Sequence, residues 1–263
     1  MVVQLQHVLT AVIQNAVNIF IFLNFIFTMS QKEIVAFDLD LVLFPWKEMV
    51  AESLNVRYGC NLSTKDFNGY GIFPWLKKSN PEIHAKLQTE GRMEHFMWLS
   101  KNTNLLVSTP PYLGVKEVLS KIKQSGRKIA IITFRGTEEN PDIFYQDGLK
   151  STLKWFEIFQ IPFDYIKFTG KKEEGLKQIE QESGEKIILY VEDHPLHVVP
   201  VVEAGYNLVL IDHGHNQDDL IHDLGDFPEY NEINFKQKWQ KVLSSGKVKR
   251  IKNVTEIEKI LNL

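Results

Sequence analysis

Short apolar runs alternate with amphipathic stretches along most of the chain. The apolar runs have the length and β-branched content of buried strands, and they cover residues 34–37, 129–133, 165–168, 187–191 and 208–211. From Gly114 onward the intervening segments have helical spacing, for example at Val115, Val118 and Ile122. Strands that alternate with helices predict a parallel α/β sheet with right-handed crossovers.

Residues 48–110 follow a different pattern. They are rich in aromatic and turn residues and contain no apolar run of strand length, and helical pieces are expected near 81–88 and 93–101. This region is predicted to be a helical insert between the first strand and the rest of the sheet. We therefore divide the chain into a core of 29–47 and 111–215, an insert of 48–110, and a peripheral segment of 216–263, where helices are expected.

The first 28 residues contain no Lys, Arg, Asp or Glu. Residues 8–27 are about long enough to cross a bilayer as a helix, but polar residues among them weaken insertion. Met29 offers a second start directly before the first strand. We favour residues 1–28 as an extension dispensable to the fold. The alternative is a membrane anchor through residues 8–27, and we expect membrane contact only there.

Composition narrows the class of protein. The 263 residues are 44% hydrophobic and 24% charged, with a net charge of −3, which is typical of a soluble globular protein. No global basic field favours nucleic acid, so no stable nucleic-acid partner is expected. The single cysteine, Cys60, can form no internal disulfide, which favours a reducing, cytoplasmic setting. The oligomeric state is left open.

Reactive side chains follow three of the predicted strands. Asp38 and Asp40 follow the first, Thr133 ends the second, and Glu192 and Asp193 follow the fourth. An unpaired carboxylate is costly to bury within a strand, so these residues are expected at the carboxyl edge of the sheet, where open α/β sheets bind ligands. For the first strand alone, two solvated acids are an equally good interpretation.

The ordered set of motifs resembles the haloacid dehalogenase superfamily of aspartate-nucleophile phosphohydrolases. The match comprises Asp-x-Asp-x-Val-Leu at 38–43, Thr133, a lysine that opens a helix at 171 or 172, and the Glu-Asp pair at 192–193. It covers about 34–213. The resemblance implies a Rossmann-like parallel sheet with helices on both faces, and a small helical cap inserted after the first strand.

The resemblance also implies roles for the acids. Asp38 is expected to attack phosphorus and form an aspartyl-phosphate. Asp40 is expected to protonate the leaving oxygen and later deprotonate the attacking water. An Mg²⁺ cofactor is expected, held by Asp38, Asp193 and the backbone carbonyl of Asp40.

Three residues are expected to hold the phosphate or leaving group: Thr133, Arg135 and Lys172. Lys172 is preferred over Lys171, because it stands one turn before Leu176. Glu192 is expected either to bind the metal or to support its ligands. The family often has another acid where this chain has His197, so a second carboxylate contact with the metal is in doubt. His194 is expected to be a loop residue without a catalytic role.

Within the superfamily, the chain resembles the 5′(3′)-deoxyribonucleotidase-like group. The similar segments are 109–114, 133–136 and 152–156, and 140–145 is similar to the phosphatase domain of polynucleotide kinase-phosphatases. In the cap, Tyr70, Phe73 and Trp75 are expected either to stack on a base or to form the cap's own core.

The sequence therefore predicts an Mg²⁺-dependent phosphatase for a small phosphate ester such as a nucleoside monophosphate. A phosphatase for polynucleotide ends or proteins is the alternative within the same chemistry. A catalytically silent binding module of the same fold is the alternative without chemistry.

Overall fold

A computed structural model describes residues 33–69, 71–136, 140, 142, 144–217 and 233–263. The segment 1–28, predicted to be a dispensable extension or an anchor, lies outside these residues. Within the described ranges, no helix is both long and apolar enough to cross a membrane.

Six parallel strands form one sheet in the order β3-β2-β1-β4-β5-β6. The strands are β1 Glu33–Phe37, β2 Lys128–Thr133, β3 Tyr165–Phe168, β4 Lys186–Glu192, β5 Leu208–Ile211 and β6 Val248–Ile251. The parallel α/β sheet predicted from the apolar runs is confirmed.

Helices separate the strands along the chain and cover both faces of the sheet. They are α1 Trp46–Tyr58, α2 Ile72–Ser79, α3 Pro81–Glu90, α4 Arg92–Asn102, α5 Leu105–Ser108, α6 Val115–Gln124, α7 Gly148–Phe159, α8 Lys172–Ser183, α9 Pro195–Glu203, α10 Ile233–Leu243 and α11 Ile257–Leu261. Because side chains alternate across a strand, β1 contributes to two separate cores. Val35 and Phe37 belong to the core with α6, α7 and α11, whereas Ile34 and Ala36 belong to the core with α8, α9 and α10.

The cap consists of α1 to α5 and the short 3₁₀ turn Thr64–Asp66. Its helices follow directly upon one another because the sequence supplies their boundaries. Asn80 separates α2 from α3, and its Oδ1 accepts the N–H of Ile83 at 3.1 Å, while Pro81 occupies the first helical position. Leu76, Leu87 and Leu99 are fully buried, so these short helices share one apolar interior.

The segment after residue 216 differs from its prediction as peripheral helices. Val248–Ile251 forms β6, which pairs with β5 and becomes an edge strand. On α10, Trp239 is 1% exposed and packs in one of the two main cores. The strand escaped detection because Lys249 and Arg250 interrupt its apolar pattern, as is common on edge strands.

The strand order reverses at β1. From β1 the chain runs outward through β2 and β3, and it then returns to place β4 on the other side of β1. A crevice forms at such a switch point, outside the carboxyl ends of the two central strands. Asp38 follows β1 and Glu192 ends β4, so the topology alone brings the first and the last sequence motif together.

Candidate active site

The turn after β1 is a tight loop that aims both acids at the crevice. The carbonyl of Leu39 accepts the N–H of Phe44 at 2.9 Å. Leu41 has a φ of 62°, and a left-handed conformation costs a residue other than glycine about 1–3 kcal/mol. The Nε2–H of His213 donates to the Leu41 carbonyl at 2.7 Å, which helps to hold the turn. Asp38 remains 6% exposed at its base.

Asp38 is paired with a buried lysine. The Nζ of Lys172 donates to Oδ1 of Asp38 at 2.6 Å and to the carbonyl of Ile132 at 2.7 Å. Burial raises the pKa of Asp38 to about 6, although the positive charge of Lys172 opposes the shift. Lys171 instead donates to Glu174 at 2.9 Å, at the exposed start of α8. Of the two lysines considered, the structure brings Lys172 into the crevice.

Asp40 is held by a guanidinium group. The Nε of Arg135 lies 3.1 Å from each carboxylate oxygen of Asp40, and Nη2 lies 2.5 Å from Oδ1. The guanidinium also lies 4.0 Å from the ring centroid of Phe44, a cation–π distance. Arg135 was expected near the phosphate or leaving group, but here it contacts Asp40, the predicted acid–base residue. Its role in binding phosphate stays a prediction.

Two buried polar atoms at the end of β2 and in the loop after it lack hydrogen-bond partners. Within the described part of the chain, Oγ1 of Thr133 and Nη1 of Arg135 make no hydrogen bond, and both residues are fully buried. A buried polar group left unsatisfied costs about 1–3 kcal/mol. An anion such as phosphate offers acceptors for both groups, which fits the predicted ligand.

Glu192 is fixed from three sides at the end of β4. Its Oε1 accepts the backbone N–H groups of Asp193 at 3.0 Å and His194 at 3.1 Å, and its Oε2 accepts the hydroxyl of Tyr190 at 2.8 Å. Burial alone would raise the pKa of Glu192, but the neighbouring His197 and Lys172 bring that pKa below its ordinary value. The glutamate is therefore an ordered anion.

Asp193, the next residue, is buried as well. Its Oδ2 is 2.9 Å from Nε2 of His215, and the side chain is 2% exposed. Burial raises the pKa of Asp193, and the negative charges of Glu192 and Asp38 raise it further. The carboxylates thus repel one another, and a cation placed among them would relieve that repulsion.

The side chains that converge best for a metal differ from the predicted set. Asp38, Glu192 and His197 each offer a ligand atom, and these three atoms lie within 4.8 Å of one another. That group does not include Asp193, which was expected as a ligand together with Asp38 and the carbonyl of Asp40. Two carboxylates and an imidazole form a donor set that fits a divalent cation.

Two residues near the site were missed by the sequence analysis. His194 lies in the loop between β4 and α9, as expected, but it is buried and lines the cavity above Asp38; its lack of a catalytic role stays a prediction. Lys47 follows the first residue of α1, where a lysine is normally solvated. It is buried, and its Nζ donates to the carbonyl of Phe67 at 2.8 Å. Burial lowers the pKa of Lys47 to about 8. No sequence signal distinguished this lysine from a surface one.

The cap closes a cavity of about 260 Å³ over Asp38. Much of its wall is aromatic, and the contributing side chains are Trp46, Phe73, Phe96, Phe134, Phe144 and Tyr145. Arg92 adds a positive charge from the cap, and Gly71 marks the entry to α2.

Trp75 does not belong to this wall. It is 4% exposed and stacks on Phe67, with ring centroids 4.4 Å apart and planes 6° apart. Of the two uses considered for it, the structure supports a place in the cap's core. Phe73 does face the cavity, and Tyr70 lies outside the described residues.

The sequence matches no family model and no curated protein, but known structures share its fold. A candidate phosphatase from Clostridium difficile superimposes with a TM-score of 0.54 at 18% identity, covering 88% of this chain and 99% of that one. A hydrolase from Streptococcus pneumoniae gives 0.50 at 12% identity, covering 89% and 100%.

An L-2-haloacid dehalogenase from Xanthobacter autotrophicus also gives a TM-score of 0.50 at 12% identity, covering 88% of this chain and 98% of that one. At these identities the likeness concerns the fold. The chain has a Rossmann-like α/β fold that these three hydrolases share.

Proposed function

We propose that the protein is a metal-dependent phosphatase that hydrolyses small phosphate monoesters through an aspartyl-phosphate on Asp38. The observation that carries this proposal is the buried pair of Lys172 and Asp38 at the switch point of the sheet, with Asp40 two residues further on. A nucleophile, a phosphate-binding cation and a second carboxylate meet there under a cap.

The first step forms a bond between a carboxylate oxygen of Asp38 and phosphorus, while the bond from phosphorus to the leaving oxygen breaks. Asp40 gives its proton to that oxygen. Lys172 and Thr133 stabilise charge on the other phosphoryl oxygens. A divalent cation bound beside Asp38 would neutralise part of the phosphate charge.

In the second step Asp40 takes a proton from water, the water oxygen attacks phosphorus, and inorganic phosphate leaves Asp38. Asp40 must give up part of its contact with Arg135 when it carries the proton, because a guanidinium offers only donors. Arg135 would then orient Asp40 between the two proton transfers.

The presence of Asp40 as a proton donor supports phosphate esters over organic halides as substrates. A departing halide needs no proton, whereas an alkoxide from an ester is a poor leaving group unless it is protonated. The dehalogenase that shares the fold therefore does not by itself suggest dehalogenation here.

The cavity supports a small substrate. A volume of about 260 Å³ under the cap suits a compact ester better than a folded protein surface, and the aromatic wall suits a flat leaving group. Together with the resemblance to deoxyribonucleotidases, this makes nucleoside monophosphates the leading candidates. Polynucleotide ends and phosphoproteins remain the alternatives.

Phosphate release from a panel of esters tests the proposal. We expect nucleoside monophosphates to be cleaved with a higher kcat/KM than phosphopeptides or 3′-phosphorylated oligonucleotides at matched salt. Faster cleavage of oligonucleotide ends would transfer the assignment to nucleic-acid repair. If no ester released phosphate with several divalent metals supplied, the proposal would fail, and the catalytically silent binding module would be the remaining candidate.

A further inference from the structure

We propose that Asp38, Glu192 and His197 bind a divalent transition metal, such as Mn²⁺ or Co²⁺, in preference to Mg²⁺, with the His197 imidazole as a direct ligand. This inference deepens the proposed function because it concerns the metal beside the same Asp38 carboxylate.

The first support is the convergence of the three groups. Their ligand atoms lie within 4.8 Å of one another, so a small movement of the side chains would bring all three to the bond lengths of about 2.0–2.2 Å at which such groups bind a divalent metal. Lys172 contacts Oδ1 of Asp38, so the second carboxylate oxygen of Asp38 remains available to a metal.

The second support is the fixed position of Glu192. Two backbone N–H groups and the Tyr190 hydroxyl bind its carboxylate. Carboxylates that bind metals are commonly oriented by hydrogen bonds from a surrounding shell of this kind. Oε1 accepts two of these hydrogen bonds and Oε2 accepts one, so Oε2, the oxygen beside His197, keeps a lone pair for a metal.

The third support is the direction of His197. It is the third residue of α9, and its Nδ1 lies 3.2 Å from Oε2 of Glu192. The ring of His194 packs beside it, with the two ring centroids 4.9 Å apart. Without a metal, a proton on Nδ1 can point to Glu192; with a metal, the same nitrogen can donate its lone pair.

The donor set determines the metal preference. Mg²⁺ prefers oxygen ligands and retains its water, whereas imidazole nitrogen binds first-row transition metals, among which Co²⁺ is bound more tightly than Mn²⁺. A carboxylate at position 197 would make the cluster an oxygen site for Mg²⁺. The imidazole makes it a mixed nitrogen and oxygen site, so this single position is expected to set the preference.

The experiment is to bind Mn²⁺ to the full chain and record pulsed electron paramagnetic resonance spectra, without any substrate. We expect modulation from a directly coordinated ¹⁴N in the wild type. The modulation should disappear in His197→Asp and persist in His84→Asn, which removes a histidine of the cap. The wild-type spectrum alone is decisive if a variant does not fold.

Calorimetry with Mn²⁺ and Mg²⁺ supplies the second readout. Losing a group that merely supports a ligand costs about 10- to 100-fold in metal affinity, so His197→Asp should weaken Mn²⁺ at least that much while Mg²⁺ binds as well as before or better. Absence of ¹⁴N modulation in the wild type, its persistence in His197→Asp, or an unchanged ratio of the two affinities would overturn the inference.

These readouts do not depend on turnover. A protein that shows the nitrogen signal and hydrolyses no ester refutes the proposed function and supports the metal site. A protein that hydrolyses esters with Mg²⁺ and shows no nitrogen signal supports the proposed function and refutes the metal site.

Discussion

The edge of the sheet and the wall of the cap face each other across one cavity, and they bury polar groups in opposite ways. At the edge, acidic side chains form ion pairs with basic ones: Lys172 contacts Asp38, and Arg135 contacts Asp40. In the cap, His95 is fully buried beside Ser53, with Nε2 2.9 Å from the hydroxyl oxygen.

This difference suggests separate roles for the two regions under the proposed function. A buried ion pair is a weak source of stability, because desolvation offsets much of the attraction. The charges at the edge are thus best explained by chemistry. The cap's aromatic contacts stabilise the lid and shape the space for a leaving group. Changes at the edge should alter kcat, and changes in the cap should alter KM or stability.

Asp38→Asn is the change with the largest expected effect. An amide is a far poorer nucleophile than a carboxylate, so kcat should fall by several orders of magnitude, while the melting temperature stays near that of the wild type. Steady-state rates and thermal melts check both. A variant that kept a tenth of the activity would break the assignment of chemistry to the edge.

Lys172→Met should lower kcat by about 10²- to 10³-fold, the effect of removing one charge-stabilising donor from a transition state. Lys171→Met is the matched control, because that side chain is exposed at the start of α8 and pairs with Glu174. It should leave kcat unchanged. Equal losses in the two variants would show that the lysines act through general charge alone.

Trp75→Ala and Phe73→Ala should distinguish a residue of the cap's core from a residue of the cavity wall by their effects on stability and KM. The loss of buried Trp75 should destabilise the protein by about 3–5 kcal/mol, with little change in KM for the molecules that remain folded. Phe73→Ala should raise KM with a smaller cost in stability. Urea unfolding and kinetics on the same samples test the pair, and the opposite assignment of effects would place Trp75 in the substrate site.

Acidification should weaken the cap through His95. Burial, and then the charge of Arg57, lowers the pKa of this histidine from 6.5 to about 3. Between these values the unfolded chain binds a proton that the folded chain does not, so stability falls as pH falls below about 6.5.

The size of the effect at pH 5 is about 2 kcal/mol. His95→Gln, which can still bind Ser53 and has no proton to gain, serves as the control. Unfolding free energies at pH 7.5 and pH 5 should differ less in this variant than in the wild type. An identical pH dependence would show that His95 is accessible to protons in the folded cap.

Much of the fold could be predicted from the sequence because the central strands are buried on both faces. Runs such as 129–133 and 187–191 carry an unbroken apolar signal, and each ends where its reactive residue stands. β6 gave no such signal, since it is short and only partly buried. The cap could be recognised as helical, but the periodicity did not tell its core from its wall, as Trp75 illustrates.

The site was predictable in its members and less so in its contacts. The order of the motifs indicated Asp38, Asp40, Thr133 and Lys172 for one edge of the sheet. It could not indicate that Arg135 would contact Asp40, because that depends on the position of the loop after β2. The convergence of His197 with Glu192 and Asp38 depends likewise on the turn between β4 and α9, and no spacing rule encodes it.

The central claim is that Asp38 carries the phosphoryl group during turnover. Its most direct test is to quench the full chain with acid within a turnover of a ³²P-labelled ester and to locate the label by peptide mapping. The account predicts labelled protein, with the phosphate on the peptide that contains Asp38 and no label in Asp38→Asn. Rapid phosphate release without labelled protein at any quench time, or a label on another residue, would contradict it.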